Sequence, residues 1–233
     1  MQVATAPAAA PDFRHVDVWI FDLDNTLYRA ETGIFAQIEA RMTAFVQRCL
    51  GLGFEESRQV QKTYYREHGT TMNGLVQVHG INPEDYLAFV HDIDLSALAP
   101  DMALTAAIGY LPGRRFVFTN GCRNHAARIL ERLGIAGLFE DLWDIRTLEG
   151  RPKPDLDSYR AVLARASAVA ARSAMFDDIA RNLVPAYALG CTTVWVNSGS
   201  VWSRQGPEQP RVSPTHIHYE TADLCAFLQT IRI

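Results

Sequence analysis

Two aspartates, Asp22 and Asp24, follow the hydrophobic run 16–21 in the stretch FDLDNTLY. The run is rich in β-branched and aromatic residues, which predicts a strand buried on both faces, as in a parallel sheet covered by helices. Two carboxylates this close repel each other, so a cation or a shared proton is needed to hold them together. Taken alone, the pair is explained equally well by a turn or a helix cap.

Two further predicted strands end in polar or acidic residues. One runs into Thr119-Asn120-Gly121 and the other into Asp177-Asp178. Ligands of open α/β sheets bind beyond the carboxyl ends of the strands, so these residues are expected to meet at one edge. Acidic residues that lie together at this edge supply hard oxygen ligands, which suit Mg²⁺ rather than zinc. The hydroxyl and the backbone N–H groups before the next helix suit an anion.

Lys153 supplies a cation between Pro152 and Pro154. The only other lysine is Lys62, although the chain has 22 basic residues. A compact charge on a stiff loop is expected to matter here, but taken alone the residue is better explained as variation on a surface turn. A nucleophilic carboxylate, a hydroxyl, an ammonium and an acid pair together indicate phosphoryl transfer through an aspartyl-phosphate.

The strands that carry these residues are separated in the sequence by an all-helical block. One strand comes before the block, and strands alternate with helices after it. Apolar residues at three- and four-residue intervals predict a helix that begins near Ile34 and ends at Gly51. Further helices of this block are predicted at 55–67, 71–79, 83–91 and 101–111. After Gly113, strands at 116–120, 174–177 and 192–197 alternate with helices at 124–133, 155–167, 180–189 and 223–231.

This alternation predicts an α/β fold, a doubly wound parallel sheet with an inserted helical cap. The expected division is a disordered arm at 1–12, a core from 13–30 and 112–233, and a cap at 31–111. The Ser-, Gly- and Pro-rich segment 198–214 is expected to be a mobile surface connection. Residues 216–218 alternate like an edge strand, and their two histidines make a poor metal site.

Composition excludes several classes of function. The chain has 233 residues, a net charge of −4 and no basic block, so nucleic acid is not an expected partner. Its four scattered cysteines lack CxxC spacing, as expected of reduced thiols. The sequence shows neither a signal peptide nor an apolar stretch that could span a bilayer, so we expect a cytoplasmic protein without a membrane partner. The oligomeric state cannot be read from the sequence.

The motifs occur in the order found in a known superfamily. The chain resembles the haloacid dehalogenase (HAD) superfamily of phosphohydrolases over about residues 17–196. FDLDNT is similar to the DxDxT motif, TNG to the second motif, the RPKP lysine to the third and FDD to the acidic fourth. More narrowly, FDLDNTLY, YYREHGTT, TNGCRNHA and FDDIARNL are similar to the pyrimidine 5′-nucleotidase branch, which has a helical cap.

The resemblance implies a role for each aspartate. Asp22 is expected to attack phosphorus, and Asp24 to protonate the leaving oxygen and then deprotonate the hydrolytic water. Four groups are expected to surround Mg²⁺, namely the carboxylates of Asp22, Asp177 and Asp178 and the backbone carbonyl of Asp24. Within the acid pair, Asp178 is favoured as the direct ligand.

The resemblance also implies what binds the phosphoryl group. Thr119 and Lys153 are expected to hold its oxygens, assisted by the N–H groups of Asn120 and Gly121. The implied function is Mg²⁺-dependent hydrolysis of a small phosphorylated metabolite, with a pyrimidine nucleoside 5′-monophosphate as the first expectation. A sugar phosphate, phosphoglycolate or a pyridoxal-type phosphate is the alternative, because the core motifs contact only the phosphoryl group.

Substrate choice is expected to depend on the cap and its hinge. The candidate specificity residues are Tyr28, Arg29, His68, Thr70 and Thr71. Hinge and helix-capping roles explain these residues about as well. The alternative of another class is a phospho-acceptor signalling or binding protein. In receiver-type signalling modules, however, the acid pair comes before the phosphorylated aspartate along the chain.

Overall fold

Six parallel strands form the centre of the molecule. The computed structural model describes residues 10–197, 199 and 215–233. The strands are β1 (Val18–Phe21), β2 (Arg114–Phe118), β3 (Asp141–Trp143), β4 (Ser173–Asp177), β5 (Thr192–Val196) and β6 (Tyr219–Thr221). Their order in the sheet is β3-β2-β1-β4-β5-β6, and every neighbouring pair is parallel. The predicted doubly wound parallel α/β sheet is therefore confirmed.

Helices cover both faces of the sheet and form a separate block. They are α1 (Ile34–Leu50), α2 (Phe54–His68), α3 (Thr71–His79), α4 (Pro83–Val90), α5 (Met102–Tyr110), α6 (Arg123–Leu133), α7 (Leu156–Arg165), α8 (Leu183–Leu189) and α9 (Leu224–Leu228). Buried residues of α5, α6 and α9 pack on one face, and those of α7 and α8 on the other. The sheet is therefore covered by helices on both sides.

The apolar run of β1 follows directly from this two-sided packing. Trp19 and Phe21 enter the hydrophobic cluster on one face, whereas Val18 and Ile20 enter the cluster on the other. Successive side chains of a strand point to opposite faces, so a strand covered on both sides has no position that favours a polar residue. The first polar positions come where the strand leaves the sheet, at its carboxyl end.

Helices α1–α4 lie between β1 and β2 in the chain and have a hydrophobic cluster of their own. Phe45, Leu75, Tyr86 and Val90 are buried in it. Helix α5 was predicted within the cap at 31–111, but its buried side chains belong to the cluster on the sheet. We therefore propose that the cap ends near the end of α4, with α5 as part of the core.

Two elements differ from the predictions. Strand β3 was not predicted, because it has only three residues and two acidic residues, Glu140 and Asp141, mark its start. The predicted helix at 180–189 is a 3₁₀ turn, Ala180–Asn182, followed by α8. Pro185 explains this break, since a helix that began at residue 180 would need an N–H group there.

The chain ends differ from the predictions as well. Most of the predicted arm at 1–12 lies outside the described residues, but Asp12 pairs with Arg232, whose N–H group donates to the carbonyl of Pro11 at 2.8 Å. The segment 198–214 lies outside the described residues apart from Gly199. The predicted strand at 216–218 begins only at Tyr219. Within the described part of the chain, no helix is long and apolar enough to cross a membrane.

Gly113 holds the start of β2 against the chain before β1, and it generates a prediction about stability. Its φ is +80°, and a Cβ atom there would lie 2.1 Å from the carbonyl oxygen of Asp17. Gly113→Ala should therefore lower the free energy of unfolding by roughly 1–3 kcal/mol, measured by urea denaturation. Gly137→Ala is the matched control, because a Cβ atom there meets nothing within 4 Å. Equal stability of the two variants would contradict this view of the turn.

Candidate active site

The sheet order brings the predicted motif residues to one edge. Strand β1 lies between β2 and β4, and Phe21 is in register with Val117 on one side and Phe176 on the other. The N–H group of Asp22 donates to the carbonyl of Phe176 at 2.8 Å, which continues the sheet by one residue. The carboxyl ends of three strands therefore meet at this edge.

Lys153 reaches this edge from the loop before α7 and is fully enclosed. Its Nζ atom lies 2.6 Å from Asp22 Oδ1 and 2.7 Å from Asp177 Oδ2, and its side chain is 1% exposed. Asn120 fixes the loop, because its amide accepts from the N–H of Lys153 at 2.8 Å and donates to the carbonyl of Lys153 at 3.2 Å. The lysine is therefore held from the end of β2 through its backbone.

Burial dominates the electrostatics of the aspartates. It raises the pKa of Asp22 to about 7, although Lys153 opposes the shift. Burial also raises the pKa of Asp178 well above its usual range. In Lys153 burial acts to lower the pKa, but Asp177 and Asp22 outweigh it and raise that pKa. The site holds more buried carboxylate than ammonium, so it favours an additional proton or cation.

Three carboxylates are arranged so that they could hold such a cation. One oxygen each of Asp22, Asp177 and Asp178 lies within 4.8 Å of the others. Asp177 already accepts hydrogen bonds from Lys153, from the N–H of Ile179 at 2.9 Å and from the amide of Asn182 at 3.0 Å. This geometry favours Asp178 as the direct ligand of the pair. A donor set of carboxylates suits a hard divalent cation such as Mg²⁺.

Asp24 has a different environment from Asp22. Its Oδ1 atom accepts hydrogen bonds from the Tyr28 hydroxyl at 2.6 Å and from His125 Nε2 at 3.0 Å. Burial acts to raise the pKa of Asp24, but His125 and Tyr28 outweigh it, and the net shift is downward. The two aspartates of the DxD motif are therefore tuned in opposite directions.

A cavity of about 130 Å³ lies between this edge and the helices α1–α4. On the sheet side it is lined by Asp22, Asp24, Thr119, Asn120, Gly121, Lys153 and Asp178. The opposite wall is mostly apolar and includes two tyrosines, Tyr65 and Tyr86. The Thr119 hydroxyl accepts from the N–H of Gly121 at 2.9 Å, so its own hydrogen stays available to a ligand. A small anion in the cavity can thus contact Asp22, Asp24, Thr119, Lys153 and Asp178 from one side.

The predicted specificity residues do not all reach this cavity. Thr70 and Thr71 line it. Tyr28 is buried beside Asp24, and Arg29 forms an exposed ion pair with Asp223 at 3.3 Å. The fifth, His68, bonds to Gln77 instead of lining the cavity. The physical reason is the direction of each helix and turn, which the residue types do not encode.

Several cavity or site residues were not singled out in the sequence. They are His91, His125, Tyr65, Tyr86 and Asn182. A detectable signal existed for His125 only, since it lies in the first turn of α6, shortly after the end of β2, and therefore stays near the sheet edge. The positions of the others depend on how helices α1–α4 pack over the sheet.

Comparison with known proteins agrees with this arrangement. The family model described as haloacid dehalogenase-like hydrolase matches residues 16–190. The chain belongs to this family of hydrolases. Phosphate metabolism protein 8 of Saccharomyces cerevisiae is 32% identical over 137 residues, which cover 54% of this chain and 42% of the yeast protein. The match thus spans less than half the length of this relative.

Solved structures of HAD hydrolases have the same fold. The HAD phosphatase of Thermococcus onnurineus has a TM-score of 0.59 and 16% identity, covering 94% of this chain and 100% of that one. The HAD-hydrolase YfnB of Bacillus subtilis, bound to magnesium, has a TM-score of 0.58 and 18% identity, covering 94% of this chain and 99% of that one. The 2-haloacid dehalogenase of Pseudomonas syringae has a TM-score of 0.55 and 17% identity, covering 92% of this chain and 97% of that one. At these identities the likeness concerns the fold alone.

The enclosed lysine generates a prediction about stability. Lys153→Met should lower the free energy of unfolding by roughly 3–5 kcal/mol at neutral pH, because it leaves the buried carboxylates of Asp22 and Asp177 without their cation. Urea denaturation without divalent metal measures this loss. Lys62→Met is the matched control and should change stability by about 1 kcal/mol or less. Similar losses in the two variants would contradict the prediction.

The raised pKa of Asp22 generates a prediction about pH. The folded protein binds this proton more tightly than the unfolded chain, since the pKa is about 7 when folded and 3.8 as the reference value. Its contribution to stability is therefore present at low pH and lost as the pH rises from about 4 to 7. Relative to Asp22→Asn, the metal-free wild type should lose about 2–3 kcal/mol between pH 5 and 8. A stability difference that is constant over this range, measured by urea denaturation, would contradict it.

Proposed function

We propose that the protein is a Mg²⁺-dependent phosphomonoester hydrolase that acts through an aspartyl-phosphate on a nucleoside 5′-monophosphate, pyrimidine first. The observation that carries this proposal is the convergence of Asp22, Asp24, Thr119 and Lys153 on one side of a single cavity. Together they supply a nucleophile, an acid and two groups for phosphoryl oxygens. The name of the yeast relative, which refers to phosphate metabolism, is consistent with such a substrate.

Each residue has a defined task in the proposed reaction. A carboxylate oxygen of Asp22 bonds to phosphorus while the ester oxygen leaves with a proton from Asp24. Asp24 then takes a proton from water, whose oxygen attacks phosphorus and releases phosphate and free Asp22. Lys153 and Thr119 stabilise the charge on the phosphoryl oxygens. Mg²⁺, held by Asp22, Asp178 and the Asp24 carbonyl, would supply further charge neutralisation.

Asp24 also supports ester hydrolysis over dehalogenation, although dehalogenases are among the similar structures. An alkoxide is a poor leaving group and needs a proton, whereas a halide leaves without one. The HAD dehalogenases that this chain otherwise resembles lack an acid at this position. The second carboxylate therefore has a task in phosphatase chemistry that dehalogenation does not require.

The side chains of the cavity wall opposite the sheet favour an uncharged leaving group. Among the described residues that line it from α1 to the end of α4, the side chains are apolar, hydroxyl or amide, apart from His91. Burial lowers the pKa of His91 to about 3, so this ring is neutral. A second anionic group would be desolvated there without a cation. A nucleoside therefore suits the wall better than the carboxylate of phosphoglycolate.

The size of the cavity adds a condition to the proposal. Its volume of about 130 Å³ is below the roughly 300–1,000 Å³ that is typical of small-molecule sites. We therefore expect a bound nucleotide to require a more open arrangement of α1–α4 than the one described here.

A substrate panel tests the proposed function. With Mg²⁺, the protein should release phosphate from UMP and CMP faster than from AMP, GMP, sugar phosphates and phosphoglycolate. EDTA should abolish release, and Asp22→Asn should lower it by roughly 10⁴-fold because the nucleophile is lost. Asp94→Asn, an exposed aspartate outside the cavity, is the matched control and should keep wild-type turnover.

The possible outcomes of this panel distinguish the proposed mechanism, the proposed nucleophile and the proposed nucleotide substrate. Broad turnover that is lost with EDTA and in Asp22→Asn would retain the mechanism and overturn the nucleotide assignment. Near-normal turnover by Asp22→Asn would overturn the nucleophile assignment. A phosphoprotein that persists for minutes would favour the phospho-acceptor alternative.

A further inference from the structure

The carboxylate of Asp24 is held by one of its two oxygens. The Tyr28 hydroxyl, at 2.6 Å, and His125 Nε2, at 3.0 Å, both meet Oδ1. Asp24 lines the cavity, and its side chain is 15% exposed. Two donors on the same oxygen fix the plane of the carboxylate and occupy Oδ1, so Oδ2 is the oxygen left for a ligand.

The surroundings of His125 decide which ring nitrogen carries its proton. The ring is fully buried on α6, and its Nδ1 atom has no hydrogen-bond partner. A carboxylate oxygen can only accept, so the ring nitrogen that faces Asp24 has to carry a hydrogen. That nitrogen is Nε2, at 3.0 Å from Asp24 Oδ1, and it is the donor to the carboxylate.

The ring of His125 is packed against His91. His91 stacks on it with 4.3 Å between ring centroids and 12° between the planes. His91 is itself fixed, since its Nδ1 atom lies 3.2 Å from the Cys122 thiol and its carbonyl accepts from Arg128 at 3.1 Å. This arrangement joins the end of α4 to α6 behind the aspartate. Such support is what an oriented catalytic group requires.

We propose that His125 is a positioning residue which, with Tyr28, orients Asp24 so that Oδ2 exchanges the proton with the leaving group and then with water. This inference rests on the proposed phosphomonoesterase function. In the first step the proton passes from Oδ2 to the ester oxygen as the P–O bond breaks. In the second step Oδ2 takes a proton from water as its oxygen bonds to phosphorus. Asp24 thus returns to its starting state, and His125 keeps its proton throughout.

The test uses two esters that differ in their need for an acid. The leaving group of p-nitrophenyl phosphate departs as a stable phenolate, whereas the nucleoside of UMP departs as an alkoxide and needs a proton. His125→Leu should lower kcat for UMP by roughly 10²-fold, because the acid is no longer oriented. It should lower kcat for p-nitrophenyl phosphate by about threefold or less and leave KM for both esters almost unchanged.

Three variants keep the test independent of folding. His125→Gln, whose amide N–H can replace the Nε2 donor, should recover at least about tenfold of the UMP turnover lost in His125→Leu. Tyr28→Phe removes the other donor with little change in shape and should show the same preference for p-nitrophenyl phosphate. His79→Gln, an exposed histidine outside the cavity, is the matched control and should turn over both esters like the wild type.

The result that would overturn the inference is an equal loss on both esters in His125→Leu and Tyr28→Phe, or no loss in either. Such a result, obtained while the wild type hydrolyses both esters, leaves the proposed function intact. Failure of the wild type itself to hydrolyse either ester with Mg²⁺ would instead overturn the proposed function and this inference together.

Discussion

A buried ammonium between two buried carboxylates is the interaction on which the candidate site depends. Lys153 contacts Asp22 and Asp177, which lie at the carboxyl ends of the adjacent strands β1 and β4. Buried charges are stable only when they are paired and hydrogen-bonded, so the position of the lysine loop is tightly constrained. Asn120 meets this constraint by bonding the backbone of Lys153 on both sides. The remaining excess of negative charge is what makes the edge suitable for a divalent cation and then for a phosphoryl group.

The two sides of the cavity come from different parts of the fold. Its polar side comes from the ends of β1, β2 and β4, which are rigid because they belong to a sheet that is packed on both faces. Its other side comes from α1–α4, which pack around a third hydrophobic cluster, although Ile34 and Ile38 of α1 enter a cluster on the sheet. In the proposed function, the charged side of the cavity would carry out phosphoryl transfer, and the neutral wall would contact the leaving group.

Two neighbouring aspartates have different protonation behaviour because they have different partners. Burial dominates at Asp22, whereas Tyr28 and His125 dominate at Asp24. These shifts describe the site without a cation, in which Asp22 binds a proton more tightly, and Asp24 less tightly, than an exposed aspartate. A divalent cation beside Asp22 would favour its ionised form. The downward shift at Asp24 needs the first turn of α6 as well as the DxD motif, so it depends on the fold around it.

The sequence alone determined the sheet, its parallel strands and the residues at their carboxyl ends. Strands buried on both faces are nearly uniform in hydrophobicity, so the polar residues that follow them, such as Asp22 and Thr119, stand out in the sequence. Only the tertiary structure decided the short β3, the membership of α5 in the core, and the distance of Arg29 and His68 from the cavity. It also decided that Asp24 is the partner of His125 at this edge. These features depend on which face of a helix or turn is directed at the site, and that direction is set by packing between segments distant in the chain.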